Sequence, residues 1–165
     1  MSMTHYMELL AQNQPWNLLI FMAVPIVLAE TVVVTEFYVL YTRNFHGLVR
    51  IINRWAGIFV GFYFLAIVIY LLPTAVLPLT TGGGWRGPID MAAVGFYLSG
   101  VVPLLGIALL EVGVIAPHSP PERKLMIHAC LVALFLVLGH IAMVFGMLDP
   151  ALIGSGAPMP MMHGH

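Results

Sequence analysis

The chain has 165 residues, 61% of them hydrophobic and 8% charged, with a mean hydropathy of +0.98. A soluble domain carries about a quarter charged residues, so this composition lies outside the globular range. Six Lys plus Arg with a pI near 6.6 exclude a nucleic-acid binder, and one cysteine excludes a disulfide-built secreted domain. What remains is an all-α, polytopic membrane protein whose first partner is the lipid bilayer.

A membrane helix needs about 20 mostly apolar residues. The first stretch to qualify runs from Asn17 to Tyr41. It follows a polar segment without basic residues and exceeds the roughly 7–15 apolar residues of a signal peptide core, so it reads as a retained anchor. Pro25 interrupts it and frees the carbonyl of Phe21, one turn earlier. The connection that follows carries Arg43, His46, Arg50 and Arg54. The second span runs from Trp55 to Leu79 and opens on Gly57-x-x-x-Gly61, a spacing that lets another backbone approach closely. Gly82-Gly83-Gly84 then precedes Trp85-Arg86-Gly87-Pro88 without the strand and helix of a phosphate-cradling loop.

The third span runs from Met91 to Ile115, with Pro103 freeing the carbonyl of Ser99. Arg123 and Lys124 come before the fourth, Leu125 to Leu148. Residues 149–165 form a tail ending Met159-Pro160-Met161-Met162-His163-Gly164-His165. The whole of 1–165 is therefore expected to be one membrane domain. Short connections make neighbouring helices antiparallel, giving a four-helix up-down bundle. Five basic residues lie on the side of the first and third connections, and only Arg86 lies opposite. That asymmetry places both termini outside, and a bacterial inner membrane fits it best.

Ionisable groups within spans are rare, face the bundle interior and mark function. Here they are Glu30, Glu36, Glu111, His128 and His140, and no span as drawn holds a Lys or Arg to neutralise the carboxylates. A carboxylate left so takes up a proton or finds a cation. Counting 1.5 Å per residue from the inner end of each span puts Glu36 about 9 Å deep, and Glu111 and His128 about 6 Å deep. These three share an inner layer near His46, suited to a metal site or a proton relay. Glu30 falls at about 18 Å and His140 near 24 Å, with Met143 just beyond.

His140, Met143 and Met147 share one face of the fourth helix at i, i+3, i+7. Thioethers and imidazoles select a soft ion, so copper leads among transition metals. The expected ligands are Glu30, His140 and Met143 in the bundle, Glu36, Glu111 and His128 in the inner layer, and His163 and His165 in the tail. Two alternatives stand beside metal transfer or transport. One is a b-type haem protein exchanging electrons with quinone, using His128, His140 and His46. The other is a small accessory subunit, as a homodimer or in a larger membrane complex. No nucleophile with a base, and no other catalytic constellation, is apparent.

Overall fold

The computed structural model describes residues 3–150. Among them the chain folds as α1 (His5–Ala11) followed by four long apolar helices: α2 (Trp16–Thr42), α3 (Leu48–Thr81), α4 (Pro88–Val112) and α5 (Pro121–Met147). Each exceeds the ~20 residues that cross a bilayer, so this is a multi-pass membrane protein. The helices begin earlier than the apolar runs, most clearly α3, which starts at Leu48 rather than Trp55. A helix continues through the polar interface for as long as its backbone bonds are made, whereas hydropathy marks only the hydrocarbon part.

Helices α3 and α4 form the centre. Their most apolar windows are 44% and 39% buried, against 22% for α2 and 17% for α5. Helix α2 packs on α3, α5 packs on α4, and α2 touches α5 only sparingly. The central contact depends on Gly61: a Cβ there would lie 2.4 Å from the Leu104 carbonyl oxygen and 2.5 Å from the Ala108 Cβ. Val60, Phe64, Leu104 and Ile107 fill the layer around it, each at most 2% exposed.

Pro25 has no N–H to give, and α2 widens into a π-helical turn over Leu19–Ala23 just before it. The carbonyls released there do not go unpaired. Tyr97 donates its hydroxyl to the Phe21 oxygen at 2.6 Å, and Tyr63 donates to the Ile20 oxygen at 3.0 Å. In α4 the regular helix is interrupted at Gly100, between Ser99 and Val101.

Candidate functional site

The four long helices bring two polar clusters together, one near each end. At the end carrying the connections Arg43–Gly47 and Gly113–Pro120, every long helix contributes a side chain to the first. Glu36 comes from α2, Arg50 and Asn53 from α3, Glu111 from α4 and His128 from α5. Glu36, Asn53 and His128 are at most 3% exposed, and Glu111 is 9% exposed.

Their arrangement is a row. Arg50 grips Glu111 with one terminal nitrogen, 2.8 and 2.9 Å from its two oxygens, and donates to Asn53 Oδ1 at 2.6 Å. Asn53 in turn donates to the Val32 carbonyl and to Thr35 Oγ1, tying α3 to α2. His128 stands between the carboxylates. Its Nδ1 is 2.9 Å from Glu36 Oε2, and its Nε2 is 3.4 Å from Glu111 Oε1. Neither approach is aligned as a hydrogen bond. Both oxygens of Glu36 and both nitrogens of His128 lack a hydrogen-bond partner among the described residues. Buried polar atoms are nearly always paired, so four orphans in one contact single out this row as the candidate site. Gly57 keeps the row accessible to α3, since a Cβ there would meet Ile107 at 2.8 Å and His128 Nε2 at 3.6 Å.

The second cluster lies at the opposite end, where α1 folds over the bundle. Thr4 caps α1 by accepting from the Met7 N–H, and it donates to the Gly146 carbonyl at 2.9 Å. Asp90, fully buried in the first turn of α4, accepts three times: from the His5 backbone N–H at 2.7 Å, from His5 Nδ1 at 2.5 Å, and from the Arg86 backbone N–H at 3.2 Å. The Arg86 guanidinium reaches Glu8 at 2.5 Å and also the Met3 carbonyl. The Tyr6 ring packs against Tyr97 at a tilt of 40°, centroids 4.9 Å apart, and lies over Gly146. Burial pushes its phenol up to about 12. Neither His5 nor Asp90 stood out in the sequence, because both lie outside the apolar runs; Pro88 at the start of α4 with Asp90 in its first turn is the signal that marks a helix entry there.

Of the residues singled out from sequence, Glu36, Glu111 and His128 meet. Two expectations need correction. The carboxylates do have an interior cation, because Arg50 belongs to α3 and not to a connection. Glu30 and His140 do not face the interior: both are exposed on the outer faces of α2 and α5. His140 places Nδ1 2.6 Å from the Leu136 carbonyl, one turn back on its own helix, with Met143 and Met147 exposed at 45% and 71%. His46 is exposed in its connection, where its backbone N–H bonds to Asn44 Oδ1, and it is not part of the inner row. His163 and His165 lie outside the described residues.

Among the described residues no three His, Cys, Asp or Glu side chains converge on a metal position. The reason at the inner row is geometric. One imidazole bridges the carboxylates through its two different nitrogens, so Glu36 and Glu111 lie on opposite edges of the ring. A family of unknown function, DUF6803, matches residues 1–162, and the chain belongs to it. No curated protein matches the chain, and no solved structure does.

Proposed function

We propose that this family member is an inner-membrane protein, with both termini outside, that binds and passes protons through Glu36, His128 and Glu111. Charge counting on the row carries the reading. Two carboxylates against one guanidinium leave the cluster one positive charge short, and one proton shared among Glu36, His128 and Glu111 brings it to zero. An uncompensated buried charge is costly, which makes that proton a stable occupant. An imidazole can accept it at one nitrogen and release it from the other, and each nitrogen here faces a carboxylate. The absence of an aligned hydrogen bond at Glu36 leaves the proton without a fixed seat. The basic end supports the orientation, since loops rich in Arg and Lys stay inside.

A second reading, transition-metal handling with copper favoured, is supported by a different surface. His140, Met143 and Met147 are exposed together towards the end of α5, which leads into the Met/His tail. Soft donors of that kind suit Cu(I). Haem b would need an iron-facing nitrogen on His128, and both its nitrogens face carboxylates. Glu30, exposed in mid-span, favours a covering helix from a second copy or a larger complex.

The test is proton uptake into vesicles that hold the full chain and an internal pH dye. Wild-type protein should carry protons well above protein-free vesicles, and Glu36→Gln and His128→Gln should each remove at least nine-tenths of that flux. Wild-type flux no greater than background, or full flux in Glu36→Gln, overturns the proposal. Copper analysis of the same preparations decides the second reading: stoichiometric metal that survives Glu36→Gln selects it.

A further inference from the structure

A cavity of about 350 Å3 is lined by the last turn of α2, the connection after it and the first turns of α5. Its walls are Leu40, Phe45, Leu125, Met126 and Ala129, and its two polar lining residues are Arg43 and Glu122. Leu40 and Met126 are 42% and 63% exposed on the bundle surface, so the cavity opens sideways, towards lipid. Arg43 is the residue directly after α2, and Glu122 is the second residue of α5. Both therefore sit where a span meets its connection, at the depth of lipid headgroups. Among the described residues neither forms an ion pair, with the other or with anything else.

We infer that this cavity holds one phospholipid whose headgroup is zwitterionic and carries a primary amine. The charges of site and ligand match one for one: phosphate on the Arg43 guanidinium, ammonium on the Glu122 carboxylate, and the start of an acyl chain along Leu40, Leu125 and Met126. An anionic headgroup would satisfy Arg43 and be repelled by Glu122. A quaternary choline would balance the charge of Glu122 but has no N–H to donate, while a primary ammonium has three. An apolar helix in the same place would bury both charges without partners, which is strongly unfavourable. The inference is independent of proton passage, because it uses neither Glu36 nor His128.

Native mass spectrometry of the full chain tests it, with phosphatidylethanolamine, phosphatidylcholine and phosphatidylglycerol offered in equal amounts. One charge-assisted hydrogen bond supports a preference of about tenfold for the ethanolamine lipid over the choline lipid. Arg43→Ala should lower retention of all three. Glu122→Gln should keep phospholipid bound while the ethanolamine preference collapses towards unity. Both residues are exposed, so circular dichroism should report unchanged folds. Equal retention of the three lipids, preference for phosphatidylglycerol, or an unchanged preference in Glu122→Gln overturns the inference.

Discussion

The two polar clusters use the same residue types, an acid, a histidine and an arginine, and differ in how completely they are paired. Asp90 is fully buried and accepts three N–H groups, so both its oxygens are engaged and α1 is fixed to α4. Glu36 is nearly as buried, yet its Oε2 lies 2.9 Å from His128 Nδ1 without an aligned hydrogen bond. A satisfied carboxylate is a clamp, and its removal should cost stability. On the proposed reading an unsatisfied one is a store, and its neutral substitute should cost function alone.

The sharpest way to break this contrast is Asp90→Ala. It leaves both N–H donors of His5 and the Arg86 N–H unmatched, and leaving such donors unpaired costs about 1–3 kcal/mol. Thermal unfolding should fall accordingly, and hydrogen exchange should rise over His5–Ala11 first. Unchanged exchange in that helix would mean that Asp90 is no clamp. A smaller effect of opposite sign is expected for Glu36→Gln, which removes a buried charge and keeps its shape. Its stability should be unchanged or higher by about 1 kcal/mol, and a clear loss would place Glu36 in the same class as Asp90.

Smallest of all is Tyr6→Phe. Burial raises the Tyr6 pKa from 10.0 to about 12. The folded state therefore keeps a proton that the unfolded chain releases above pH 10. Wild-type stability should decline as pH climbs from 10 towards 12, and the phenylalanine variant should lack that share of the decline. Melting temperatures on either side of pH 10 make the comparison; identical slopes would show the phenol to be solvated.

The four spans were legible because an apolar run of that length has few other uses, and the inner row was legible because depth along each helix follows from rise per residue. Which way a residue faces was not. In water a helix advertises its buried side by contrast with a polar one; in lipid both sides are apolar and the contrast disappears. Glu30 and Glu36 are separated by less than two turns, and no neighbouring pattern in the sequence tells that one turns inward and the other outward. Arg50 escaped for a related reason. Its helix starts within a basic stretch that hydropathy assigns to the connection.

Gly61 has a mechanical consequence. With no side chain between α3 and the Leu104 carbonyl, these two helices meet at a distance that admits no Cβ. They make a spine, and Arg50 and Glu111, which belong to it, are already gripped together. Helices α2 and α5 are planks fastened to that spine on separate edges, and Glu36 and His128 form the latch across the seam between them. On the proposed reading, seating or releasing a proton at that latch would loosen or tighten the seam while the spine keeps its shape.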